Sequence, residues 1–462
     1  MDRRVVYIDP HPKKHTPAVL GVVPGFFATI RGALSDLPRY DPINDELVAI
    51  EQLNQETRSE RAAIEAVRPD VSERVERIVG AALGEDVTAE QVRGWRLDAG
   101  RLLLQDSRLT YAHYVRLMIG EALAYLSRVI AKRCDYAPDS PQARWVAAVL
   151  DTWALRQGVA RRDYAIPPDL TSEADVPFPM RLLLDLNLDY RYRRLYFVIH
   201  TINRFYRRLA DPEFRDATSE TLDAFKRRIY GCLEALETGE EAEFLSPSCA
   251  AAVRGLFRSP HADAVPIASA AEAFVTEHEP ALTTLIEQIG REGNFVRFNE
   301  DADQALSSAE FHALGAVCRR GLLIAYIGFV FWDIIVLPMI GYRPRHKLGE
   351  LGEILVDRIS PEDARTIRTG DEARGLRGAE FANFGAFLSR TARENDYLWG
   401  RLDSVDRLFD LLASAVGHDV AEELDLRAYK KRALAAVLDE ERGRLENVRE
   451  LVDRLSEVVA RL

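Results

Sequence analysis

The chain has 462 residues, more than a single hydrophobic core usually organises, so two or three subdomains are expected. A hydrophobic fraction of 47% with 29% charged residues excludes both a mainly disordered chain and a polytopic membrane protein. The formal net charge of -12, with a pI near 5.4, argues against nucleic acid as a partner, because phosphate-backbone affinity comes from clustered Lys and Arg.

Cys134, Cys232, Cys249 and Cys318 are far apart and form no CxxC pair, so they read as buried thiols of a reduced compartment. The N-terminus has no apolar core of the kind a secretory signal needs. A cytoplasmic location is expected, with peripheral membrane contact as a variant of it.

In chain order, the first strand-like element is Arg4 to Ile8, ended by the breakers in DPHPKKHTP. A lone terminal strand needs a sheet to join. From Ile43 the pattern turns helical, with Leu47, Ile50, Leu53 and Ile64 in one predicted helix and Val71, Val75, Ile78 and Val79 in a second. Thr88 and Gln91 are spaced as a capping box for a helix towards Gln105, Tyr111 to Cys134 continues the period, and Ser140-Pro141 starts another helix. The Pro-rich stretch 161–179 is a predicted subdomain boundary.

The next predicted helix, Leu186 to Leu209, sets Leu195, Val198, Ile202 and Phe205 on one face and crowds arginines elsewhere. Arg191, Arg193, Arg194 and Arg204 are candidate lipid or anion contacts, against the preferred reading of a solvated basic face. The apolar run Gly321 to Gly341 is long enough to span a bilayer. Asp333 near its middle would cost roughly 2.5–3.5 kcal/mol there, so a buried core helix, spanning about Ser308 to Val336, is the better reading.

Glu353 to Ile359 is the best internal strand, Ser360-Pro361 reads as a helix start, and helices are predicted over 379–416. Finally, Leu434, Leu438, Leu445, Val448, Val452, Leu455, Val459 and Leu462 make a heptad seam broken only by Glu441. It can self-associate or fold back on its own chain. The expected fold is mainly α: bundle-like helical subdomains, few short strands and a long C-terminal heptad helix. The expected divisions are 1–42, 43–160, 180–345, 346–424 and 425–462.

No serine stands in G-x-S-x-G, and neither phosphate-cradling glycine pattern occurs. His11 and His15 have a metal-compatible spacing but lack a third ligand and a helix to carry them, so no metal or cofactor is expected. The segment Arg393 to Asp403 packs acids, bases and Trp399 densely. The preferred reading is a helix junction with Asn395 or Asp396 capping, Asp403 paired with Arg407, and Trp399 inside; an enzyme using Glu394, Asp396 and Asp403 is the alternative.

That segment, NDYLWGRLDSVDRL, resembles a signature of bacterial patatin-related proteins, in which a patatin-like lipase domain precedes a long helical region of unknown function. Asn395, Asp396, Trp399, Arg401 and Asp403 carry the likeness. The arginine-rich run Asp185 to Leu195, Asn203, Trp332-Asp333, Pro338, Gly349-Glu350 and the RISPEDA run from Arg358 to Ala364 are similar as well. The resemblance reaches from Arg3 to about Leu412, with RRVVYIDP similar to the family's final patatin strand.

The family's G-x-S-x-G serine, D-G-G or D-G-A aspartate and glycine-rich oxyanion loop are all missing. The resemblance therefore implies a helical accessory or regulatory region that is not catalytic by itself. Its partner would be an upstream or separate patatin-like catalytic domain hydrolysing acyl esters, and the chain itself would be a fragment, a split-gene product or free-standing. The alternative is a helical scaffold self-associating through Leu434 to Leu462.

Overall fold

The computed structural model describes residues 3–8, 43–82, 86–106, 108–159, 178–241, 244–258, 262, 266–340, 353–361, 363–367, 376–377, 389–416 and 425–462. The predicted loop after Ile8, the His11 and His15 pair, the boundary at 161–179 apart from its last two residues, and Gly349-Glu350 lie outside them. The fold is mainly helical, with two short parallel strands.

Strand β1 is Arg3–Ile8. Helices α1 (Ile43–Val79), α2 (Ala89–Asp106), α3 (Arg108–Arg133), α4 (Pro141–Arg156), α5 (Phe178–Asp185), α6 (Leu188–Tyr206) and α7 (Ser219–Glu241) follow. Then come α8 (Pro247–Phe257), α9 (Ile267–Gly293), α10 (Arg297–Ala305), α11 (Ala309–His312), α12 (Ala316–Ile327) and α13 (Phe329–Ile340). Strand β2 (Ile354–Ile359) precedes α14 (Arg390–Val416), α15 (Leu426–Glu441) and α16 (Arg449–Arg461). Two compact units result, one of residues 55–352 and one of residues 2–54 with 353–462.

Local signals set several helix starts in the larger unit. Thr88 and Gln91 form the reciprocal capping box, with Gln91 Oε1 accepting from Thr88 N at 2.8 Å and Thr88 Oγ1 from Gln91 N at 3.3 Å. Ser140 accepts from Ala143 N at 3.1 Å ahead of Pro141, whose missing N–H is no loss at that position. Helices from both sides of 161–179 enter one core: Trp145 of α4 meets Phe257 and Phe274 edge-on, with ring centroids 5.9 and 5.0 Å apart.

Two predicted divisions change. The pair of helices expected over 43–79 is one helix that runs through Pro69. The long apolar helix expected over 308–336 is instead three, and α12 and α13 meet at a 54° bend. The bend lies at Gly328, where a Cβ would meet Ile324 O and Val71 Cγ1 at 2.6 Å, so only glycine lets α1 approach so closely. Among the described residues no single helix is long and apolar enough to cross a membrane, and this bent pair is largely buried within the unit.

In the smaller unit the two predicted strands find each other, in parallel, with register from Arg3 opposite Ile354 to Ile8 opposite Ile359. Asn54 of α1 acts on β2 as a strand would, its amide accepting from Ile354 N at 2.8 Å and donating to Ile354 O at 2.9 Å. Arg407 Nε donates to Arg358 O at 3.2 Å, four residues on and therefore on the same strand edge. Ser360 begins only a turn, accepting from Asp363 N at 3.0 Å.

The C-terminal heptad pattern is not one long helix. Residues 442–448 turn the chain, so α15 and α16 face each other and α14, burying Leu434, Leu438, Leu445, Val448, Val452, Leu455 and Val459 with Leu398, Trp399 and Leu402. Glu441, the one break in the seam, is 1% exposed and takes Arg401 as its partner. Replacing fully buried Leu455 with Ala should cost about 2–5 kcal/mol in urea denaturation, whereas Leu412→Ala, at a position 62% exposed, should be near neutral.

Candidate functional site

The most highly charged interior feature is built on α6. Its cap, Asn187, accepts from Tyr190 N at 2.9 Å and donates to Met118 O and Glu121 Oε2 of α3, both at 3.0 Å. With the helix start so anchored, the 100° step per residue sends consecutive arginines to different neighbours.

Arg193 meets Asp333 of α13 in a two-pronged bond, Nε to Oδ1 at 2.7 Å and Nη2 to Oδ2 at 2.9 Å, and its Nη1 donates to Glu121. Tyr114 OH donates to the same Asp333 carboxylate at 2.7 Å. Arg194 Nη2 donates to Asn299 Oδ1 at 2.6 Å and stacks over Tyr326, 4.5 Å from its ring centroid. Tyr326 in turn donates to Asp303, which Arg96 holds through both oxygens at 3.1 and 2.9 Å.

The candidate contacts Arg191, Arg193 and Arg194 are thus 3%, 6% and 2% exposed, so they do not form the solvated basic face that their spacing suggested. The reason lies in partners that spacing along α6 does not display: Asp333 and Glu121 answer Arg193, Asn299 and the Tyr326 ring take Arg194, and the Asn187 carbonyl takes Arg191. Arg204, at the far end of the helix, is the exception: its side chain is 31% exposed and lies 3.7 Å from Glu65.

Charge in the Arg193 cluster is unequal, with two carboxylates sharing one guanidinium. Burial opposes the charge of Arg193, but Asp333 and Glu121 beside it hold its pKa well above the usual value. Burial also pushes the Glu121 carboxyl above the ordinary carboxylate range, in spite of Arg193 and Asn187. Glu121 is the surplus acid.

The signature residues lie inside one continuous helix, α14, and not at a junction. Ser389, not Asn395 or Asp396, caps it, accepting from Ala392 N at 3.3 Å. Asp396 accepts from the backbone N–H of Arg377 at 2.7 Å and from Asn395 at 3.0 Å. Arg401 joins Glu440 at 3.0 Å as well as Glu441. Trp399 and Asp403 are buried, at 2% and 4% exposed, while Arg407 pairs with Asp410 at 3.1 Å.

Glu394 accepts from Asn447 N and Nδ2, both at 2.8 Å, and so fixes the turn between α15 and α16. Against burial, those amides hold its carboxyl below the usual range, the opposite of what a general acid requires. A second buried centre, Lys430 with Asp406 and Asp410, ties α15 to α14; Lys430 lies 9% exposed and was not foreseen from the sequence.

Neither arrangement supplies a poised nucleophile. Burial pushes all four cysteine thiols up to about 11, leaving little thiolate at neutral pH. Among the described residues no group of three or more His, Cys, Asp and Glu could hold a metal ion. A cavity of about 370 Å³ between α5 and the end of α9, lined by Leu182, Asp185, Glu287, Arg291 and Phe295, brings carboxylates to an apolar floor without a base and nucleophile in register.

These buried acids should separate in a pH series. A carboxyl with a raised folded-state pKa contributes stability below the unfolded value of about 4.3 and loses it as pH rises through the raised value. Glu121→Gln should therefore fall less in melting temperature than the parent chain between pH 4 and neutrality. Asp333→Asn should cost about 3–5 kcal/mol at neutral pH, because it breaks the pair that neutralises Arg193.

A family profile described as a protein of unknown function, DUF3376, matches residues 312–461, which run from α11 to the end of α16. Neither the curated proteins nor the solved structures include a match to the chain. The matched region holds Asp333, the α14 signature and the folded-back seam: the chain carries a DUF3376 domain at residues 312–461.

Proposed function

We propose that the chain is a helical accessory or regulatory region of a patatin-like lipid acyl hydrolase, without bond-breaking residues of its own. The observation that carries this reading is the β1–β2 pair. Parallel sheets are ordinarily covered on both faces, and a two-stranded ribbon alone is marginal in water. Here Val5, Val6 and Ile8 are 41%, 47% and 73% exposed, and Leu355 and Val356 are 40% and 37% exposed.

Asn54 and Arg407 occupy the outer edge of β2, so among the described residues further strands would join on the β1 side. A catalytic domain built on a parallel sheet would supply them. The likeness of RRVVYIDP to the family's last patatin strand agrees with this position, and the structural commitments of Glu394, Asp396 and Arg193 agree with a non-catalytic role. In the partner, a serine–aspartate pair would cleave the acyl ester through an acyl-enzyme.

The test is acyl-ester hydrolysis and gel filtration of the chain alone and with a patatin-like catalytic domain. The chain alone should be inactive. The mixture should co-elute and show altered kcat/KM, and Val6→Lys with Ile8→Lys should abolish co-elution while leaving the helical circular dichroism unchanged. Hydrolysis by the chain alone, or a mixture that never associates, would refute the accessory reading.

A further inference from the structure

The cavity between α5 and the end of α9 has walls that the local sequence explains. At Gly290 a Cβ would meet Leu182 Cδ1 at 2.5 Å, so glycine lets the two helices close there, at one end of the hollow. Asn294 then ends α9 in the left-handed region, at φ 42°, with its N–H on Gly290 O at 3.2 Å, and the chain turns back to set Phe295 and Val296 into the wall. The Phe295 ring is 2% exposed and fixed, meeting Tyr125 and Phe244 edge-on with centroids 5.6 and 5.3 Å away.

The charged side chains of the lining are Asp185, Glu287 and Arg291. Arg291 is 69% exposed and reaches Glu287 only at 4.0 Å, so that pair is weak. Asp185 ends α5, and among the described residues its carboxylate makes no hydrogen bond or ion pair. Burial raises its pKa above the ordinary value, against Arg191 and Arg181, which act on it from a distance. Arg191 is no part of the lining and gives its Nη1 to Asn187 O at 2.6 Å. The last turns of both α5 and α9 border the cavity, and the C-terminal end of a helix carries partial negative charge.

We propose that this cavity binds a protonated primary amine carried on a small apolar body, with Asp185 as its anchor and Glu287 as a second acceptor. An ammonium offers three N–H donors to carboxylate oxygens, and the attraction gains strength where an apolar wall displaces water. Leu182, Leu186, Phe295 and Val296 receive the apolar body. The volume of about 370 Å³ is that of a small-ligand pocket. A quaternary ammonium fits less well, because it donates no hydrogen bond and calls for an aromatic cage, whereas among the described residues Phe295 alone brings a ring to this lining. The site stands on the cavity and does not depend on the accessory reading.

The full chain should be titrated calorimetrically with 2-phenylethylammonium chloride. Four comparison ligands keep the apolar body and change the head group: neutral 2-phenylethanol, anionic 3-phenylpropanoate, zwitterionic phenylalanine and the trimethylated amine. The primary amine should bind saturably and about tenfold or more tightly than each of them. Asp185→Asn should weaken its binding about tenfold or more, and Glu287→Gln about threefold. The equal charge change Glu90→Gln, at an exposed position on α2, should leave it within about twofold.

If Asp185→Asn loses its cooperative melt, Glu287→Gln and the ligand series on the parent chain carry the test. Absence of saturable amine binding, a comparison ligand that binds as tightly as the amine, or unchanged amine binding by a cooperatively melting Asp185→Asn would each overturn the site.

Discussion

The two-pronged bond between Arg193 and Asp333 is the constraint around which the larger unit is arranged. A guanidinium 6% exposed and a carboxylate 1% exposed are tolerable only together, and only if their remaining hydrogen-bonding capacity is used. Tyr114 and Glu121 from α3 use it, and Asn187, which caps α6, closes the circuit back onto Glu121. One set of bonds thereby fixes the start of α6, its rotation about its own axis and the depth of α13. The apolar contacts between Phe197 and Trp332, with ring centroids 4.6 Å apart, then follow in register.

What was legible in the sequence is what neighbouring residues decide among themselves. The Thr88–Gln91 box, the Ser140-Pro141 start and the apolar stripe Leu195, Val198, Ile202 and Phe205 need no distant partner to be recognised. Both strands could be seen as strands for the same reason. Their pairing could not, because Arg3 and Ile354 are joined across most of the chain and periodicity records no partner. The arginines of α6 show the same limit more sharply. Read along the helix they are a basic face; read across the fold each has its own acid, aromatic ring or carbonyl.

The heptad seam shows how a correct pattern can take a different form. Spacing identified the apolar residues that are in fact buried, from Leu434 to Val459, yet a continuous helix would have carried Glu441 through the seam. With Arg401 and Tyr397 available on α14, that glutamate is better neutralised beside a turn than left in an apolar row. Glu394 supplies the matching restraint on the other side of the turn by binding both amide groups of Asn447. The α14 signature therefore encodes a docking pattern for the C-terminal hairpin: Tyr397, Trp399, Arg401 and Asp406 are spaced to receive it, while Asp396 turns instead to the backbone of Arg377.

A charge-rich motif is informative only when it is known which charges remain available after folding. In α14 and in the first half of α6, Arg401 and Arg193 hold helix to helix, and burial of their acid partners has made replacement costly. At the end of α6, part-exposed Arg204 approaches α1, where one carboxylate, Glu65, serves both Arg204 and Arg68. The same helix thus changes role along its length. Its N-terminal half binds the interior together, whereas near its C-terminal end the pair Arg204 with Glu65 is part-exposed and contributes little, so the same residue type costs far less to replace there.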